Sequence, residues 1–217
     1  MIETTEANNF LDIDIMGSWV EVGMVVAAVV IGVFTGYHLL RGWIKGGRIS
    51  SPCSPRFRSK HTRVHELLTE LRVKVSADRS SILQFHNGGK FLDGSSVKKF
   101  SLTHESCSVG VSESMSTRQN LLASAFVDML DRLSDNKPSI VATSNLPDSN
   151  FKRHLESNRT LVFSLMPVKD SKGMLIEGCL LAEWCNWDNA DLIDDDKVEL
   201  YLSEYSRHIE SRLSETK

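Results

Sequence analysis

LVFSLMPVKDSKGMLIEGCLLAEW, residues 161–184, governs how the rest of the chain is read. Two apolar runs, Leu161 to Lys169 and Met174 to Trp184, flank the turn-forming tetrapeptide Asp170-Ser171-Lys172-Gly173, which is the pattern of a long β-hairpin. Side chains alternate across a strand. Ile176, Gly178, Leu180, Ala182 and Trp184 therefore share one face, and Glu177, Cys179, Leu181 and Glu183 share the other. The two carboxylates on the second face predict a sheet with one side packed and the other partly wet.

Helical periodicity brackets this hairpin. Val64, Leu67, Leu68, Leu71 and Val75 recur at helix spacing, with Glu66, Glu70, Arg72 and Lys74 on other faces. Val198, Leu202, Tyr205, Ile209 and Leu213 repeat the pattern at the C-terminal end, behind the acidic run Asp194 to Asp196 that suits a helix N-terminus. Between these helices, Ser81 to His86 reads as a strand ending in the turn Asn87-Gly88-Gly89. Lys99 to Glu105 reads as its hairpin partner, with Phe100, Leu102 and His104 on one face. Thr117 to Leu133 carries a broad apolar stripe and predicts a helix, which Pro138 prevents from extending. Ser139 to Thr143 predicts a short strand, and Ser149 predicts the cap of a short helix reaching Asn158.

Upstream of this domain, assigned to residues 62–217, lies a different kind of sequence. Val22 to Leu40 is an uncharged run rich in Val and Ala, about 28 Å long as a helix and close to the bilayer hydrocarbon thickness. With Trp19 and the aromatics Tyr37 to Trp43 at its borders, residues 19–43 predict one transmembrane helix. Residues 1–18 carry acids and no base, whereas Arg41, Lys45, Arg48, Arg56, Arg58, Lys60 and Arg63 come after the span before any acid appears. Basic flanks stay in the cytoplasm, so the expected topology is a short external tail, N-terminus outside, and a cytoplasmic C-terminal domain. A cleaved signal peptide is disfavoured by the missing basic n-region and missing cleavage site. Residues 44–61, with Gly46, Gly47, Pro52 and Pro55, are read as a basic juxtamembrane linker lying on lipid headgroups, in which Cys53 is a candidate for lipidation. Ala28, Gly32 and Gly36 recur on one face of the span, the small-residue pattern through which two membrane helices pair into a homodimer.

Composition excludes several classes. Residues 1–63 hold seven basic and five acidic side chains, so the remaining residues carry a net −5 of the chain's −3, unsuited to holding nucleic acid. Cys53, Cys107, Cys179 and Cys185 show neither a CxxC pair nor a disulfide framework. P-loop, dinucleotide-fingerprint, nucleophile-elbow and HExxH motifs are absent, so no catalytic residue is assigned and the chain is read as a non-enzyme. His86, Asn87, His104, Glu105 and Cys107 are the residues with chemical potential. A metal site joining His86 and His104 needs a strand register not derivable from the sequence, and strand parity points Glu105 away from His104, so no metal ligand is assigned.

The order helix, two strands, helix, short strand, short helix, long hairpin, helix resembles the GAF/PAS-type sensor fold. Residues 161–184 resemble its terminal hairpin, with Pro167 before the turn and Ile176-x-Gly178 after it. ADRSSILQFHNGG (77–89) and KFSLTHESCSVGVS (99–112) are similar to segments of membrane-anchored GAF-like proteins encoded by bacteriophages. The resemblance implies an α+β fold: a GAF-like antiparallel sheet bracketed by N- and C-terminal helices and preceded by the transmembrane helix. It implies a pocket for a small ligand, flanked by Phe85, His86, Asn87, Phe100, His104 and Trp184, with the cofactor, if any, left open. Because GAF domains bind diverse ligands or none, fold alone does not name the ligand. Two readings remain: a membrane-anchored module that senses a small ligand or recruits a partner protein, and a phage protein acting on the host envelope as a holin-like lysis or superinfection factor.

Overall fold

The computed structural model describes residues 24–38, 52–90, 92 and 94–214. They fall into two units, Met1–Pro52 and Cys53–Lys217. In the first unit, 24–38 is a helix, α1, whose large apolar side chains, Val25, Ile31 and Phe34 among them, are exposed. Among the described residues no helix is long and apolar enough to cross a membrane. The ends of the apolar run, its flanking charges up to Arg48 and the tail 1–18 lie outside the described residues.

The second unit opens earlier than the sequence suggests. Helix α2 spans Pro55–Lys74 and so takes in residues assigned to the linker. The Ser54 hydroxyl accepts from Phe57 N, and Pro55 occupies the first helical turn, where its missing N–H costs nothing. A proline read as part of the linker is here a helix start. Val64, Leu67, Leu68 and Leu71 form its buried stripe.

Six antiparallel strands come next: β1 Arg79–Lys90, β2 Ser96–Cys107, β3 Leu121–Leu122, β4 Ile140–Ala142, β5 Val162–Lys169 and β6 Ile176–Trp184. Their order in the sheet is β3-β2-β1-β6-β5-β4, so both predicted hairpins form and their inner strands pair with each other. Against one face lie α2 and α6 (Asp195–Ser214), which follows the single-turn α5 (Trp187–Ala190), enclosing Ile82, Leu180, Ala182 and Trp184. Against the other lie α3 (Val127–Ser134) and α4 (Asn150–Ser157), enclosing Leu83, Phe100, Phe163, Cys179 and Leu181. Both faces of β6 are therefore dry. The expectation of one wet face fails over Gly178–Trp184 because Glu183 is buried beside cations, while only Ile176 and Glu177, at the strand's start, are exposed.

Two further differences have local causes. The stretch 117–133 is not one helix. Leu121–Leu122 pairs with Lys99 and Phe100 as an edge strand, Ala123–Ala125 forms a single 3-10 turn, and only Val127–Ser134 is helical. Asn120 sits at φ 56° and breaks the helical run, and Arg118 C=O accepts from Leu102 N at 2.7 Å. In the first hairpin, Ile82 pairs with His104 but Leu83 pairs with Leu102, which leaves Thr103 as a bulge. A one-residue insertion moves the residues beyond it to the opposite face. Phe100 and Leu102 thus join the α3/α4 core, whereas His104 turns to α2. Asn87-Gly88-Gly89 is still strand, and the chain reverses between Lys90 and Ser96.

Ser149 caps α4 as expected, accepting from Lys152 N, and Asp194 Oδ1 accepts from Lys197 N at the start of α6.

Candidate functional site

The bulge at Thr103 divides the expected ligand-binding residues between the two faces. His104 is buried under α2, where its Nε2 lies 2.7 Å from Nδ1 of His61 and its ring 4.9 Å from that of His65. Trp184 is fully buried in the α2/α6 core and donates through Nε1 to Val75 O. Phe100 lies in the α3/α4 core, edge-on to Phe85 and Phe126. Those three residues do not share a pocket. His86 pairs with Lys99 and hydrogen-bonds Ser101 Oγ at 2.9 Å, four strand positions from His104, so the two histidines do not meet. Glu105 faces away from His104, toward Arg79. Among the described residues no three metal-ligating side chains converge.

Phe85, His86 and Asn87 do converge. They form one wall of an open groove of about 540 Å³. Leu130 and Leu133 of α3 form the opposite wall, and Leu175, Ile176 and Glu177 close it at the start of β6. Asn87 Oδ1 accepts from Lys98 Nζ at 2.9 Å, which fixes both side chains at the rim. The lining is mostly apolar with a few polar groups, the composition of a recognition groove. Exposed Met174 and Leu175 continue the apolar surface beyond it. The enclosed interior between sheet, α3 and α4 is filled by contrast. Only about 10 Å³ remains among Leu83, Phe100, Phe126, Met129 and Phe151, too little to seat a ligand.

At the end of the sheet opposite the groove lies a buried charge cluster that the sequence did not lead us to expect. Arg118 Nη1 and Nη2 donate to the two carboxylate oxygens of Glu183 at 2.7 and 2.6 Å, and Thr160 Oγ1 donates to the same carboxylate. Arg79 reaches Glu105 at 3.3 Å and Glu183 at 3.4 Å, and donates to Ser112 O. Ser114 binds Glu105 through both its N–H and its hydroxyl. Two guanidiniums balance two carboxylates. Burial alone would raise the Glu183 carboxyl, but Arg118 and its two hydrogen bonds, with Arg79 and Thr160, hold it down at about 2. The signal was present in the sequence: an acid on a strand face shared with Cys179 and Leu181 must be either exposed or paired. Nearby, Asp78 accepts from Cys185 N, Asn186 N and Asn189 Nδ2, tying the start of β1 to the turn after β6. These contacts tie the sheet to α4 through His154 and to the loop 108–117 through Ser112 and Ser114.

Cys107, Cys179 and Cys185 are not poised for chemistry. Burial pushes Cys179 and Cys185 up to about 12 and raises Cys107, so all three stay protonated at neutral pH. His104 and His154 are pushed the other way, both to about 4. Burial is the first cause in each, followed by His65, His61 and Lys60 around His104 and by Arg118 beside His154. Arg118 Nε donates to His154 Nε2 at 3.2 Å, which requires that ring to be neutral. Both histidines are therefore neutral in the fold and protonate more readily when unfolded. Stability from them is complete above the ordinary value of 6.5 and is lost as pH falls from 6.5 toward 4. Urea unfolding measured between pH 7.5 and 4.5 should show this decline, and His104→Gln should flatten it. An unchanged slope in that variant would remove His104 from the account.

Ala28, Gly32 and Gly36 all lie in α1, four residues apart, and among the described residues a Cβ built on either glycine meets nothing within 4 Å.

Neither a family model nor a curated protein matches the chain. Solved structures do, cyanobacterial photoreceptor domains among them. A far-red cyanobacteriochrome photoreceptor is similar at TM-score 0.54 and 12% identity, covering 73% of this chain and 87% of its own. The phycoerythrobilin-bound GAF domain of a cyanobacterial phytochrome gives 0.53 and 15%, covering 74% and 93%. The blue-light-absorbing PixJ GAF domain of Thermosynechococcus elongatus gives 0.52 and 12%, covering 75% and 90%. The domain is GAF-like in fold: an antiparallel six-stranded sheet between two helical layers.

Proposed function

We propose that this chain is a non-catalytic GAF-like recognition module, held at a membrane by the apolar run 22–40, that docks a segment of a partner protein in the groove between β1 and α3. The observation that carries this reading is the contrast between the two spaces. An enclosed tetrapyrrole, such as the one bound by the phytochrome domain, needs several hundred Å³ of interior, and the interior here offers about 10 Å³. The open groove offers about 540 Å³, and the exposed Met174, Leu175 and Ile176 extend it into an apolar patch larger than a small metabolite uses. Lys98 and Glu177 add polar groups to this apolar lining. The anchor supports recruitment, since tethering raises the partner's local concentration at the membrane. The charge flanks support a cytoplasmic domain and an external N-terminus.

The test is a selection of displayed peptides against residues 53–217, repeated on Leu130→Glu and Ile176→Glu. Peptides bound by the parent should lose at least tenfold in affinity on either variant, as a buried charge without a partner demands. Binders indifferent to both substitutions, or a stoichiometric coloured adduct with added bilin, would reject the open-groove reading.

A further inference from the structure

A second concavity, of about 430 Å³, lies where the first turns of α2 meet the end of α6. Arg56, Ser59, Lys60, Thr62 and Arg63 line it from α2 and Arg212 from α6, with Glu66 as the one carboxylate in the wall. Lys60 Nζ donates to Leu213 O at 2.8 Å and keeps the end of α6 beside α2. Arg63 is oriented by Glu66 and Glu70 at 3.0 and 3.1 Å. Four cations and two hydroxyls in one concave wall form a donor set for phosphate oxygens, which guanidinium forks bind in pairs. The setting is distinctive because residues 64–217 are net −5, whereas residues 41–63 hold seven basic side chains and no acid. Positive charge is thus concentrated in the part of the domain nearest the apolar run in sequence.

We propose that this pocket binds the phosphate of an anionic phospholipid headgroup, which brings the start of α2 to the membrane surface. The assignment rests on the anchoring proposed above. Residues 41–54 alone separate the apolar run from α2, a stretch of at most about 50 Å fully extended, so headgroups are the most concentrated phosphates within reach. A soluble phosphate has the same chemistry without that advantage.

The full chain should be reconstituted into vesicles of phosphatidylcholine, with or without phosphatidylglycerol, and amide exchange measured over residues 55–63. Phosphatidylglycerol should slow exchange there about tenfold, the effect of one or two cations at an anionic surface. Substituting Arg56→Gln, Arg63→Gln and Arg212→Gln together should remove the effect, while Arg153→Gln on α4 should not. Equal exchange in both vesicles, protection that survives the triple substitution, or equal protection by inorganic phosphate over phosphatidylcholine would each overturn the headgroup assignment and leave the anchor standing. A chain that fails to float with either vesicle would overturn the anchor, and this assignment with it.

Discussion

Arg118→Ala should cost residues 53–217 about 3–5 kcal/mol, the usual effect of leaving a buried charge without its partner. A domain of this size has about 5–15 kcal/mol in total, so the variant should lose a large fraction of its stability and unfold at a clearly lower urea concentration than the parent. The reason lies in the geometry. Glu183 is fully buried, and its two best donors are both on Arg118. Without them the carboxylate keeps Thr160 and the more distant Arg79, and burial then favours the protonated acid. His154 also loses the donor at its Nε2. Arg118→Leu combined with Glu183→Leu should recover most of the loss, since replacing a buried pair by packed apolar groups is often close to neutral. The remaining Arg79 and Glu105 still balance each other.

The pH dependence separates this pair from the histidines. The folded Glu183 carboxyl, at about 2, lies below its ordinary 4.5, so its contribution is complete above 4.5 and is lost as pH falls through 2. The histidine contribution is lost earlier, between 6.5 and 4. Parent protein should thus weaken in two stages on acidification, and the double leucine variant in one. Urea titrations monitored by the buried Trp184 report both effects. A cost below about 1 kcal/mol for Arg118→Ala, the range of exposed pairs, would show that the cluster is hydrated and does not hold the sheet.

How legible each element is in the sequence depends on how local its determinants are. The hairpin 161–184 and the helices around Leu68 and Leu202 are written in short-range periodicity and turn chemistry, and they form, the first helix starting earlier than its apolar stripe, at Pro55. The stripe from Leu121 to Leu133 satisfies helical spacing equally well, but its first residues find a strand edge at Lys99 and Phe100, and Arg118 just before it finds a buried carboxylate. Both partners are remote in sequence. The bulge at Thr103 is invisible for the same reason: it is set by how β2 registers on β1, and no residue type in Phe100 to His104 announces it. That single insertion separates His104 from Phe100 and divides the six expected ligand residues. Phe85, His86 and Asn87 reach the groove together because β1 runs on to Lys90; the pattern through His86 was readable as strand, whereas Asn87 read as the start of a turn.

Gly178→Ala should destabilise the domain by about 3 kcal/mol, near the upper end of ordinary overpacking costs, and Gly178→Val should prevent folding. Intrinsic preference points the other way, because glycine within a strand is worse than alanine by about 0.5–1 kcal/mol. The sign reverses because of the atoms that the new Cβ would strike. Gly178 pairs with Gln84 at the last step of the β1–β6 ladder, and a Cβ there collides with the Leu83 carbonyl oxygen, with Gln84 Cα at 3.1 Å beyond it. Both obstacles are backbone of an inner strand, held between β2 and β6, and neither can rotate aside. Gly88 provides the contrast. Its Cβ would meet Lys99 Cδ and Cε at 2.7 Å, but a flexible side chain moves cheaply, so Gly88→Ala should cost less than about 1 kcal/mol. Urea midpoints of the two variants make the comparison directly, and equal losses would mean that close backbone approach is not what selects glycine at 178. The consequence reaches the groove as well. Leu175, Ile176 and Glu177 form its closed end immediately before Gly178, so a β6 pushed off β1 carries that wall with it. Any Gly178→Ala protein that still folds should therefore bind the selected peptides more weakly than the parent does.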